Sequence, residues 1–304
     1  MYSTDFGHAP AFSQKIILEK QLRMKTILIA TDFSKAAEDA ALYAVELANI
    51  VKARVILVSA FNQVPVAVPE APLVITLEEV QLQVAQQLTN TARQLQAHRP
   101  VAIQTCSMAG TAARAIIQAV KEFKPDLEMA GMKKKGKRIR RFFGRTVTQL
   151  IRQLSIPLLV IPEGTRFSKI KAIALANESD LPTSTDPHSM DALHELAKTF
   201  HSKLYLARVV NQHFDKAYEV RRKPARLNYM FRDLNPAFKC IEGEDTAQAL
   251  TRFANLYDID VLAIMPHRYS LLERWFIVSV TREMAFETAV PLLVIPEKQN
   301  ELFN

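Results

Sequence analysis

The chain has 304 residues, a length that favours two domains of ordinary size over one. With 49% apolar and 23% charged residues it is neither disordered nor fibrous, and two well-separated cysteines exclude a disulfide scaffold. The formal charge of +8 is concentrated in the run Lys133-Lys134-Lys135-Gly136-Lys137-Arg138-Ile139-Arg140-Arg141, which points to an anionic partner or a solvated loop.

Residues 1–23 read as an N-terminal extension of no clear type. They lack the basic region and apolar core of a signal peptide, and no run approaches the roughly twenty apolar residues of a membrane span. A cytoplasmic protein is expected. Lys25 to Thr31 is a short apolar run of strand length. Ser34 is an N-cap for an amphipathic helix reaching about Val51. Arg54 to Ala60 is a second strand, followed by a loop with Pro65, Pro69 and Pro72 and a long helix from Leu77 to about His98. Val101 to Cys106 is a third strand, and Gly110 opens a helix that Pro125 ends. Leu127 to Gly131 is strand four. The basic loop, a helix from about Thr146 to Leu154 and strand five at Pro157 to Ile161 complete the unit. Strands alternating with helices imply a mostly parallel sheet, and Leu158-Leu159-Val160-Ile161 fits a strand buried on both faces.

The unit then repeats. Ile156-Pro157-Leu158-Leu159-Val160-Ile161-Pro162-Glu163 returns as Val290-Pro291-Leu292-Leu293-Val294-Ile295-Pro296-Glu297, an offset of 134 that also relates Asp126 to Asp260. Gly110 maps to Gly243, and Cys106 and Cys240 fall near equivalent places, where they read as buried small hydrophobes. The second copy starts at Ile170 and is shorter between its second strand and Gly243. The basic, aromatic stretch Tyr218–Phe231 stands there in place of the long helix. The expected boundaries are 24–164 for the first domain and 167–304 for the second, with the junction near Gly164-Thr165-Arg166.

In open α/β sheets, ligands lie beyond the carboxyl ends of the strands. Those ends carry Asp32, Ser59, Ala60 and the segment from Gly131 to Thr146 in the first half. The phrase Ile27-Leu28-Ile29-Ala30-Thr31-Asp32-Phe33-Ser34, the strand-four ending Asp126-Leu127 to Gly131, the glycine-bearing loop and the closing PLLVIP resemble a universal stress protein domain. The resemblance covers both halves, nearly all of the chain after Met24. It implies two tandem doubly wound domains, each a five-stranded mostly parallel sheet of the adenine nucleotide alpha hydrolase-like type. Many relatives bind ATP through a loop G-x2-G-x9-G-[ST], with the aspartate of strand one at the adenine end.

Carried over position by position, Asp32 matches the aspartate, Gly131 the first glycine and Gly144 the third. Lys134 replaces the second glycine, Gly136 matches a further glycine of that loop, and Arg145 replaces the final Ser/Thr, with Thr146 one step later. These seven are the expected nucleotide-binding residues. Glycines admit backbone N–H groups to a phosphate, and Lys134 and Arg145 would supply charge. In the second half Asn177, Met265 and Val278 replace the aspartate and both glycines, and only Ser279 survives. ATP is therefore expected in the first half and no nucleotide in the second. Trp275 and Phe276 read as packing residues or a partner surface.

The resemblance implies a non-catalytic stress-response sensor, with protein partners or self-association, its two halves packed as a pseudo-symmetric pair with their fifth strands near the contact. No nucleophile elbow G-x-S-x-G is present, and Arg138 breaks the near match to a Walker A loop at Gly131–Lys137. No His/Cys/Asp/Glu set has metal-ligand spacing. The alternative is a nucleic-acid or membrane-surface binder acting through 133–145, where Phe142 and Phe143 interleave with the basic residues.

Overall fold

A computed structural model describes residues 24–62, 76–133, 145–176, 190–210, 224–265 and 290–296. In the first half the order is β1 (Thr26–Ala30), α1 (Lys35–Val51), β2 (Arg54–Phe61), α2 (Leu77–His98), β3 (Ile103–Ala109), α3 (Ala112–Phe123), β4 (Leu127–Met132), α4 (Arg145–Gln153) and β5 (Leu158–Pro162). The second half runs β6 (Ala172–Ala176), α5 (Asp191–Phe200), β7 (Lys203–Val210), α6 (Ala225–Met230), β8 (Ala237–Glu242), α7 (Thr246–Leu256), β9 (Val261–Ile264) and β10 (Leu292–Val294).

The ten strands form one sheet in the order β3-β2-β1-β4-β5-β10-β9-β6-β7-β8. Each half therefore contributes the doubly wound order 3-2-1-4-5. All pairs are parallel except β5 with β10, where Leu158, Leu159 and Val160 face Val294, Leu293 and Leu292 in antiparallel register. The repeated PLLV phrase thus pairs with itself at the centre of the sheet, and neither fifth strand is left as an open edge.

Helices cover both faces. Strand alternation sends Ile27, Ile29, Val55, Leu57 and Met129 towards α1 and α2, and sends Leu28, Ile56, Val58 and Ala130 towards α3 and α4. Both apolar layers continue across the seam through Leu159 and Leu293 on one side and Leu158 and Leu292 on the other. Ser34 caps α1, its hydroxyl oxygen accepting from the Ala37 N–H at 3.5 Å, and a full capping box of Thr76 and Glu79 starts α2. Alanines at 36, 37, 40, 41, 44 and 48 let α1 lie close on the sheet.

The repeated aspartates have a shared task. Asp126 Oδ2 accepts from the Lys25 and Thr26 N–H groups at 2.8 and 2.9 Å, and Asp260 Oδ2 accepts from those of Lys171 and Ala172 at 2.6 and 2.9 Å. Each tethers the start of the first strand of its half to the start of the fourth. The cysteines depart from expectation. Cys106 is half-buried and Cys240 exposed, because β3 and β8 are the outer strands of the sheet among the described residues.

Between the halves, Gly164 turns the chain at φ +82°, and its N–H donates to Asp39 Oδ2 of α1 at 2.7 Å. Phe167 then wedges between Tyr43 of α1 and Phe200 of α5, with ring centroids 4.9 and 6.0 Å away. The Met24 N–H donates to Glu195 Oε1 of α5 at 2.6 Å. The described residues hold no helix long and apolar enough to cross a membrane.

Candidate functional site

The order β2-β1-β4 means that the chain leaves β1 in one direction across the sheet and returns on the other side of it. Such a reversal opens a crevice above the strand ends. A cavity of about 330 Å³ lies there, within the range of small-ligand sites. Its floor is built from small residues: Ala30 of β1, Ala60 of β2, and Ala130 and Gly131 of β4. The first turns of α1, α3 and α4 form its walls through Ala36, Ala112 and Thr146.

The polar side is set by the loop Thr31–Ser34. Thr31 Oγ1 accepts from the Phe33 N–H at 3.0 Å, Asp32 Oδ1 from the Ser34 N–H at 3.0 Å, and Ser34 Oγ from the Ala37 N–H. These short turns hold Phe33 at φ +59°, a strained conformation for a bulky residue. The loop presents Asp32 with its second oxygen 3.9 Å from Lys133 Nζ. Burial alone would raise the Asp32 carboxyl, but its hydrogen bonds to Ser34 and the charge of Lys133 together hold it below the usual carboxylate value. Asp32 is thus an anion beside a cation at the cavity mouth.

Of the residues expected from sequence, Asp32, Gly131 and Thr146 come together in this lining. Arg145 is exposed at the first position of α4 and is not part of it. Lys134, Gly136 and Gly144, like Phe142, Phe143, Trp275, Phe276 and Ser279, lie outside the described residues. Sequence reasoning passed over Lys133 as one residue of a charge run. Its place directly after β4 was the available signal, since residues just past a strand end face the crevice.

Gly131 has a reason that does not involve a ligand. A Cβ there would collide with the Ala36 carbonyl and lie 2.8 Å from the Ala37 nitrogen. The glycine lets the first turn of α1 seat directly on the end of β4. In the second half Met265 takes this place and packs into the core on the α5 side.

The third helices also differ. Thr111, the N-cap of α3, makes no side-chain cap, so the first-turn N–H groups beside Ala112 keep their positive end open. The second half has Asp245 at the equivalent position, accepting from the Gln248 N–H at 3.0 Å and placing a carboxylate on the end of α7. One half offers an uncapped helix end at a cavity, and the other fills that end with its own anion.

A sequence profile of the universal stress protein family matches residues 24–162. Among solved structures, a universal stress protein from Archaeoglobus fulgidus DSM 4304 superimposes with a TM-score of 0.70, covering 90% of this chain and 99% of its own at 13% identity. A protein of unknown function from Pseudomonas aeruginosa PAO1 gives 0.58, with 91% and 94% covered, also at 13% identity. At these identities the likeness is one of fold. No curated protein matches the chain. Residues 24–162 carry the match to the universal stress protein family, and the described chain has the fold of a solved universal stress protein.

Proposed function

We propose that the first half is a non-catalytic sensor that binds an adenine nucleotide of the ATP type at the β1/β4 crevice, and that the second half binds none. The observation carrying this reading is the cavity itself, at the sheet's reversal point, with Asp32, Lys133, Thr146 and the uncapped start of α3 around it. The residues fit the group. An alanine and glycine floor admits a flat base, the Asp32 carboxylate can accept from a base or ribose, and Lys133 with the α3 N–H groups can face phosphate. Gly131 then serves the site by seating α1, and Lys134, Gly136, Gly144 and Arg145 would complete the phosphate side.

On this reading the halves, taken as residues 24–164 and 167–304, act as a pseudo-symmetric pair in the cytoplasm. The paired fifth strands support it. The second half would serve structure and protein contacts, including self-association. The anionic-surface alternative rests on 133–145, of which only Lys133 and Arg145 are described, and Lys133 faces Asp32.

The test is calorimetric titration of the full chain with ATP, with and without magnesium, beside Ala112→Phe. Ala112 is exposed at the cavity wall, so this change closes the mouth without crowding the core. One saturable site, lost in A112F with the fold intact, supports the proposal. No binding at millimolar ATP overturns it.

A further inference from the structure

Glu128 stands in the middle of β4 with 0% exposure, and neither carboxyl oxygen has a hydrogen-bond partner among the described residues. Its register neighbours are Leu28 on β1 and Leu158 on β5. Both belong to the apolar layer under α3 and α4, with Ile116, Ala119, Val147 and Leu150. The next residue of β4 on that face is Ala130, which lines the cavity together with Ile116 and Val147.

An ionised carboxylate in such a place is far more costly than a neutral acid. Burial pushes the Glu128 carboxyl well above its ordinary value of 4.5 and is the sole cause of the shift. The charged groups on the elements packed around it are Arg114, Lys121 and Glu122 on α3 and Arg145 and Arg152 on α4, all at the exposed surface. β1 and β5 carry none. Nothing among the described residues offsets the carboxyl, so its protonation depends on whether the layer above it is seated.

The second half shows that the fold does not require this group. Its equivalent residue is Leu262, flanked by Ala174 and Leu292 in the corresponding apolar layer.

We propose that Glu128 is a proton-operated latch on the α3/α4 layer of the first half, neutral while that layer is seated on β4 and ionised when it lifts, so that rising pH favours lifting. The sign follows from the proton count. The seated state holds a proton that the lifted state releases above about pH 4.5. Opening is flat below that pH. Above it, opening rises by about tenfold per pH unit until the buried carboxyl itself titrates. The seated layer includes the cavity wall at Ile116 and Val147, so the same proton governs access to the β1/β4 crevice. This holds whether or not the crevice takes a nucleotide.

Native-state hydrogen exchange on the full chain between pH 5 and 8, corrected for intrinsic exchange, reads the latch directly. In the wild type the opening constants of β4 and α3 amides should rise by about tenfold per pH unit over at least part of the range, while those of β9 and α7 stay flat. In Glu128→Leu, which imports the residue of the second half, the β4 slope should vanish and protection at pH 8 should exceed wild type by tenfold or more. Glu128→Gln keeps the shape and removes the proton, so it tests the slope even if leucine overpacks the site. A flat wild-type profile, or the same slope in wild type and E128Q, overturns the proposal.

Discussion

In the first half four residues, 31–34, carry the chain from β1 into α1; in the second, fourteen, 177–190, carry it from β6 into α5. The short crossing forces the first turn of α1 onto the end of β4, which only Gly131 permits. In the second half Met265 stands at the equivalent position and packs against the core on the α5 side. The same contrast recurs at the third helix, uncapped at Thr111 and capped at Asp245. Two copies of one strand order have therefore diverged at the carboxyl end of the strands. They have stayed alike at the opposite end, where Asp126 and Asp260 make matching bonds. The shared end holds the fold, and the divergent end is where a function can be kept or lost.

The largest effect expected is at Gly131. Gly131→Val should destabilise the first half by about 3 kcal/mol or more, since the colliding atoms are backbone and cannot rotate away. Met265→Val in the second half should cost about 1 kcal/mol, an ordinary loss of apolar volume. Urea unfolding of the two variants checks this. Equal losses would break the claim that Gly131 sits under a backbone contact that Met265 does not make. Any large substitution at Gly131 is for the same reason a poor probe of ligand binding.

Next come the aspartates. Asp126→Ala and Asp260→Ala each strand two N–H groups at a strand start, and each should cost about 1–3 kcal/mol. The two losses should match closely, as measured by denaturant midpoint. A clear inequality would show that the halves have diverged at this end also.

These pairs show what sequence made legible. The offset of 134 was visible, and with it the order of elements, because buried parallel strands read as apolar runs whatever surrounds them. Asp126 and Asp260 could be matched, but not explained, since their partners are backbone groups about a hundred residues away. Gly131 could be found by motif, yet its close contact with Ala36 depends on the three-dimensional crossing of α1. Glu128 was passed over in the sequence, where an acid inside an apolar strand was the available signal, and only its lack of a partner among the described residues gives it meaning. Arg145 stands where the motif has Ser/Thr and is exposed at the first position of α4, where helix phase is a matter that spacing alone does not set.

Thr111→Asp transplants the cap of the second half into the first. It should seal the start of α3, add up to about 1 kcal/mol of stability and weaken ATP binding by roughly tenfold through its added negative charge. Calorimetry against the wild type decides. Unchanged affinity would mean that the open end of α3 does not face the phosphates, and the contrast with Asp245 would lose its functional reading.

The smallest effect concerns the tie between the linker and α1. Asp39 Oδ1 pairs with Lys35 Nζ at 2.8 Å while its Oδ2 accepts the Gly164 N–H. Burial tends to raise this carboxyl, but the hydrogen bonds from Lys35 and Gly164 outweigh it and hold the group below its ordinary 3.8. The folded chain therefore releases this proton more readily than the unfolded one. Asp39 contributes stability above pH 3.8, and that contribution fades as the pH falls through the depressed value. Asp39→Asn keeps an oxygen for Gly164 but removes the charge, and should cost about 0.5–1.5 kcal/mol at pH 7. Below pH 3 its urea midpoint should converge on that of the wild type. A constant gap between the two at every pH would mean that the linker is held by Phe167 between Tyr43 and Phe200, and that the charge on Asp39 adds nothing to the seam.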